Sequence, residues 1–380
     1  METTIPNTNC KAFLIRIFLF VALASLLFQN TLTAENTIRY SVFSGHIGDS
    51  VICQVKLPES YSGFQEQKYP VLYLLDGNLN FELATSVIKI MSRGIQPFIP
   101  EMIVVGITSS NRLRDFTPTQ ALYHNDGTPA PPTYQLSGQA GRFNDFLAKE
   151  LKPYLDQTYR TNGYNILFGH SLGGIFGLHV LLHRQSFFNA FILADPSIWW
   201  DRTKLLSEAD SLLQQSFAGK SVYHAIGHTT TIPPGTETML QVEGNQAIAG
   251  KIEKHSENGL RFSSYFYAGE THGTVVVPAL QDALKFIFQG YFVNPRKETF
   301  TTAQLETAVN QVSKNLGIQL IPQAPHIETI ARYCLTILNN PQKAADFYRM
   351  GLHYYPENEK MEAGLKKCAH HSPTKQNEIR

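Results

Sequence analysis

The stretch Asn165-Ile-Leu-Phe-Gly-His-Ser-Leu-Gly-Gly174, continued by Ile-Phe-Gly-Leu-His-Val-Leu-Leu182, decides how this 380-residue chain is read. Ile166 to Phe168 is an apolar run of strand length, and an apolar-periodic segment of helical character begins straight after Gly174. Between them lies Gly169-His170-Ser171-Leu172-Gly173. A G-x-S-x-G turn set between a strand and a helix presents its serine hydroxyl at the sheet edge. So sharp a turn crowds the positions two residues on either side, which is why both are glycine. Ser171 is therefore the expected nucleophile. At the start of the helix, Leu172 N–H can face a developing oxyanion.

A serine hydroxyl needs a base, and histidine is the side chain poised for that work near neutral pH. When the nucleophile sits on such a turn, the chain order is nucleophile, acid, histidine, with the histidine after the last strand. Among 13 histidines, His272 meets this requirement in Ala268-Gly-Glu-Thr-His-Gly273, following the alternating run Arg261 to Tyr267. The acid is expected in the loop after the strand that ends at Gly227, so Glu237 leads and Glu243 follows. Asp195, at the end of the preceding strand, is the third choice. A second oxyanion donor is expected from the turn after Val71–Leu75, at Gly77 or Asn78. Arg112 and Arg114 either pair with Asp115 and pin a long loop or face an anionic substrate. Trp199 and Trp200 are core fillers or pocket walls.

Composition excludes several classes of function. A net charge of +1 with 17% charged residues argues against a nucleic-acid partner. Lys11 and Arg16 lead into Ile17–Phe28, a 12-residue apolar run of signal-peptide length that is short for a membrane span. A leader over residues 1–34, cleaved near Ala34, is expected, with the mature chain periplasmic or secreted; an uncleaved leader would be an anchor. Cys53 reads as a small buried hydrophobe, and Cys334 with Cys368 is a pair able to bridge in an oxidising compartment. No Cys/His cluster has zinc spacing, so no metal site is expected.

Elsewhere strands alternate with helices. Tyr69–Leu75, Met102–Ile107, Ala190–Ala194 and Ser221–Gly227 read as buried strands, preceded by antiparallel strands over 38–57. This is an α/β chain with a mainly parallel sheet and helices on both faces, over residues 35–295. The loop 108–136 is long enough to be functional. Residues 296–380 carry only helical patterns, at 302–316, 326–338, 341–353 and 357–368. They form a TPR-like appendage that must dock to be stable.

With these residues in hand, the chain resembles the putative-esterase family that includes siderophore (enterochelin) esterases and the esterase D / S-formylglutathione hydrolase group. The likeness rests on Tyr-Pro-Val-Leu-Tyr-Leu-Leu-Asp-Gly77, Arg112-Leu-Arg-Asp-Phe-Thr-Pro118, Gly-His-Ser-Leu-Gly-Gly174, Asp195-Pro-Ser-Ile-Trp-Trp-Asp201 and Gly-Glu-Thr-His-Gly273, and it spans about residues 38–290. It implies the α/β-hydrolase fold and a cofactor-free Ser–His–acid esterase acting on a small-molecule ester, such as a siderophore lactone or an acylated sugar or peptide. The chain departs from the family pattern at Gly227-His-Thr-Thr, where related chains often carry a carboxylate. The competing expectation is a binding protein that keeps this fold without turnover.

Overall fold

A computed structural model describes residues 31–33, 37–183, 186–227 and 237–370. Most of the expected leader, and the loop 228–236 with Pro233-Pro234, lie outside the described residues.

Nine strands form one sheet in the order β1-β2-β3-β5-β4-β6-β7-β8-β9. Three antiparallel strands make one edge: β1 (Thr31–Thr33), β2 (Thr37–Ser44) and β3 (Asp49–Lys56). The remaining six are mutually parallel: β4 (Tyr69–Leu75), β5 (Ile103–Thr108), β6 (Thr161–His170), β7 (Ala190–Ala194), β8 (Ser221–Gly227) and β9 (Arg261–Tyr267). Along β3 buried and half-buried residues alternate, as expected of a strand with one face toward solvent. Every residue of β4, β7 and β8 is buried, because helices cover both faces there.

One face carries α1 (Gly77–Met91) and α8 (Val276–Ile287). The other carries α2 (Arg112–Phe116), α3 (Ala140–Phe146), a π turn (Leu147–Leu151), α4 (Lys152–Thr158), α5 (Leu172–His183), α6 (Trp200–Leu212) and α7 (Glu237–Lys254). The helix α6 has no counterpart in the sequence reading. Two helix turns also stand inside the loop expected over 108–136. Arg114 pins that loop as one of the two sequence readings has it. Its guanidinium reaches Asp115 Oδ1 at 2.6 Å and Asp49 Oδ2 at 3.1 Å.

The C-terminal helices are α9 (Thr302–Leu316), α10 (Ala324–Thr336), α11 (Pro341–Tyr354) and α12 (Glu359–His370). A capping box at Thr301 and Gln304 starts α9, and Asn340 caps α11 ahead of Pro341. Leu305, Ile327, Cys334, Phe347 and Met361 belong to the same continuous core as α1 and α8. Polar contacts fix the seat. Gln67 Oε1 accepts from Ala324 N–H at 2.9 Å and from the Tyr355 hydroxyl at 2.8 Å. The Gln323 amide bonds both backbone groups of Glu101, at 2.8 and 3.0 Å. Cys53, Cys334 and Cys368 are buried free thiols, so the bridge that the sequence leaves open for the last two is not formed. Among the described residues no helix is long and apolar enough to cross a membrane.

His326 lies buried in this seam, with Nε2–H donating to Ile95 O at 3.3 Å. Burial pushes its imidazole down to about 4 from the ordinary 6.5. The unfolded chain then binds a proton that the native state refuses, so stability falls as pH drops from about 6.5 toward 4. Between pH 7 and pH 5 this one group should remove roughly 2 kcal/mol. Urea unfolding should show a loss between pH 7 and pH 5 that is smaller by roughly 2 kcal/mol in His326→Gln, which keeps an N–H donor without titrating, than in the wild type.

Candidate active site

Three adjacent parallel strands, β4, β6 and β7, are each followed directly by a residue held at positive φ: Asp76 at 53°, Ser171 at 58° and Asp195 at 44°. Left-handed backbone at a residue other than glycine carries strain, and here it turns the chain abruptly at the C-terminal edge of the sheet. That edge is where open α/β sheets bind ligands.

Ser171 occupies the expected elbow. Its N–H donates to Ala194 O at 3.0 Å, and its carbonyl accepts from Ser197 N–H at 3.0 Å. A Cβ on Gly169 would lie 2.0 Å from Gly173 O, so the turn closes only around glycine. The Ser171 hydroxyl is half-buried and 3.1 Å from Ser197 Oγ.

His272 stands on the loop between β9 and α8, with Nδ1 2.6 Å from Asp195 Oδ2. Its side chain is 44% exposed, whereas that of Asp195 is 1% exposed. His170, inside the elbow, holds the same loop, because its Nε2–H donates to His272 O at 2.7 Å with the two rings 4.6 Å apart. Burial, and then the neighbouring His272, push the His170 imidazole down to about 4, so at neutral pH it is an uncharged donor.

The carboxylate that meets His272 among the described residues is Asp195, the third choice of the sequence reading. The chain-order argument places the acid after β8, but the left-handed turn after β7 brings Asp195 there from one strand earlier. Glu237 opens α7, and its side chain lies outside the described residues. Glu243, the second choice, is exposed on α7. Of the two oxyanion candidates after β4, Asn78 gives its N–H to Thr108 Oγ1 at 3.0 Å. Gly77 N–H and Leu172 N–H both lie in the first turns of helices, where backbone donors have no helical acceptor.

Arg112 pairs with Asp76, at 2.5 and 2.9 Å, and not with Asp115. Trp200 is core, with Nε1–H donating to Thr119 O at 3.0 Å, while Trp199 is half-buried. No motif in the sequence marks Asp76 or Ser197 as a site residue. The clue to Asp76 is that it directly follows a fully apolar strand and starts a turn, as Asp195 also does. A groove of about 480 Å³ between α1 and the end of β3 lies away from these residues. So does a cavity of about 660 Å³ between the starts of β4 and β6 and the C-terminal helices. Among the described residues no three His, Cys, Asp or Glu side chains are grouped to hold a metal ion.

Residues 44–272 match the model of the family described as "Putative esterase". The chain belongs to this family. It is similar to the ferri-bacillibactin esterase BesA of Bacillus subtilis, 28% identical over 57% of this chain and 78% of that protein. It is also similar to the siderophore enterobactin esterase of Emericella nidulans, 26% identical over 57% of this chain and 81% of that one. An IroE-like serine hydrolase from Shewanella oneidensis superposes with a TM-score of 0.77 at 29% identity, covering 86% of this chain and 99% of the other. The fold is that of the α/β-hydrolases, and this esterase is a carboxylic ester hydrolase.

The elbow supplies a direct check. In the esterase, Gly169→Ala forces backbone against backbone, so the melting temperature should fall by an amount matching about 4 kcal/mol or more, the range of severe core lesions. A melting curve like that of the wild type would mean that the turn relaxes around a Cβ.

Proposed function

We propose that the esterase acts through Ser171, His272 and Asp195, forming an acyl-enzyme on a siderophore-type ester or lactone outside the cytoplasm. The observation that carries this reading is the 2.6 Å contact between His272 Nδ1 and the buried Asp195 carboxylate, beside a serine in a strained elbow.

The chemistry follows from the arrangement. Ser171 Oγ turns from Ser197 to the ester carbonyl and gives its proton to His272 Nε2. Asp195 keeps the other ring proton on Nδ1 and balances the imidazolium that forms. Leu172 and Gly77 N–H, at the positive ends of α5 and α1, receive the oxyanion. Collapse of the tetrahedral intermediate expels the alcohol, which takes the proton from His272. Water, reaching the half-exposed His272, then attacks the acyl-enzyme in the reverse sequence.

The substrate class is supported by the two siderophore esterases to which the chain is similar. Export is supported by the basic and then apolar residues 11–28, and N-terminal sequencing of the exported form should read from near Glu35. Recovery of soluble protein that still starts at Met1 would contradict export.

Ser171→Ala should lower kcat on a ferric catecholate trilactone by roughly 10⁴-fold or more, and Asp195→Asn by about 10⁴-fold with little change in KM. Glu237→Gln and Glu243→Gln should each cost less than about tenfold. Turnover of p-nitrophenyl esters with none of the trilactone would keep the triad and discard the substrate class.

A further inference from the structure

Behind the site lies a chain of buried polar groups that the reaction itself does not touch. His224 points from β8 toward α7, buried on all sides. Its Nε2 is 2.8 Å from Asn245 Oδ1, and its Nδ1 is 3.0 Å from Ser264 Oγ on β9. Asn245 Nδ2 in turn lies 2.8 Å from Pro196 O, 2.8 Å from Gln241 O and 3.3 Å from Asp195 Oδ1. The protons along this chain assign themselves. Three acceptors surround Nδ2, so the amide nitrogen must be on that side and Oδ1 must face His224. An acceptor at 2.8 Å requires His224 to carry its proton on Nε2. That leaves Nδ1 to accept from the Ser264 hydroxyl. Burial holds the imidazole below its ordinary range, which keeps it neutral.

We infer that His224 and Asn245 are positioning residues for the acid: a neutral, Nε2-protonated His224 locks the Asn245 amide so that it donates to Asp195 and fixes the carboxylate against His272. Asp195 is nearly inaccessible to water, and a buried carboxylate needs donors other than its catalytic partner. The oxygen not used by His272 takes a bifurcated share of an Asn245 Nδ2–H at 3.3 Å, because the two hydrogens of that amide also serve Pro196 O and Gln241 O. Gln241, one helical turn before Asn245 on α7, grips the same turn through Asp195 O and Pro196 O, at 2.6 and 2.8 Å. An acid at the end of β7 is thus held in place by a residue on β8, through α7.

This inference rests on the Ser171–His272–Asp195 reading, and the test separates the two. Kinetics on p-nitrophenyl butyrate would compare His224→Leu, His224→Gln, Asn245→Leu, Asp195→Asn and the double variant Asp195→Asn/His224→Leu. The leucine variants should lower kcat about tenfold to a hundredfold with KM within about twofold, as loss of a hydrogen bond supporting a charged group does. His224→Gln, which can still donate to Asn245 Oδ1, should stay within about threefold of wild type. In the Asp195→Asn background His224→Leu should add nothing, since the group it positions is gone. The downfield His272 Nδ1–H proton resonance should survive in His224→Gln and be lost in His224→Leu. Leucine variants with wild-type kcat beside a crippled Asp195→Asn, or additive losses in the double variant, would overturn the relay and leave the triad standing. Wild-type kcat in Asp195→Asn would overturn both. Nitrogen-15 histidine spectra of the unmutated enzyme, which need no variant to fold, should show His224 neutral with its proton on Nε2; a proton on Nδ1 would refute the assignment.

Discussion

Three neighbouring strand ends held at positive φ are the constraint on which the site depends. Each such residue costs about 1–3 kcal/mol, and it persists only where the surroundings leave it no alternative. Those surroundings are specific. Asp76 is clamped by the Arg112 guanidinium. Ser171 is tied on both backbone groups, to Ala194 O and Ser197 N–H. Asp195 gives its N–H to Ala225 O, receives Gln241 at its carbonyl and meets Asn245 and His272 at its carboxylate. Because β4, β6 and β7 are consecutive in the sheet, the three turns share one crest. A change at Ser171 or at Asp195 would be felt by the other through the backbone bonds that join their turns.

Much of this was readable from local pattern. The parallel core strands announce themselves as short apolar runs, and the elbow by two glycines at fixed offsets around Ser171. His272 follows from its place after the last strand. The acid was harder because no local pattern says which strand end His272 will meet. That depends on how far the loop after β9 leans back over the sheet, and it leans to β7. The His170 tether to the His272 carbonyl belongs to the same class: neighbours in space, 102 positions apart in the chain. Local geometry also hides α6. Asp201, Arg202 and Thr203 sit at left-handed angles where a helix would be expected to start, and charged residues dilute the apolar period after them.

The arginines show how residue type can be right while its partner is not. Arg112 and Arg114 flank a helical turn and both bind carboxylates, as the acidic residue beside them suggests. Only Arg114 takes that neighbour. Arg112 reaches back to the end of β4 and fixes the turn from which Gly77 N–H emerges. A guanidinium that looks like a substrate contact in the sequence is thereby already matched in charge by Asp76.

The seam between the sheet and the C-terminal helices bears on how the molecule is made. Apolar residues of α9–α12 complete the core on the α1 and α8 side, and the Gln67 and Gln323 side chains close it with backbone-directed bonds. A ribosome delivers the chain from its N-terminus, so the nucleophile and histidine loops emerge while that face of the sheet is still bare. Until the last helix is out, the nascent protein carries a broad sticky surface and must be shielded from its neighbours. The C-terminal helices end that exposure when they dock and stay on as part of the wall.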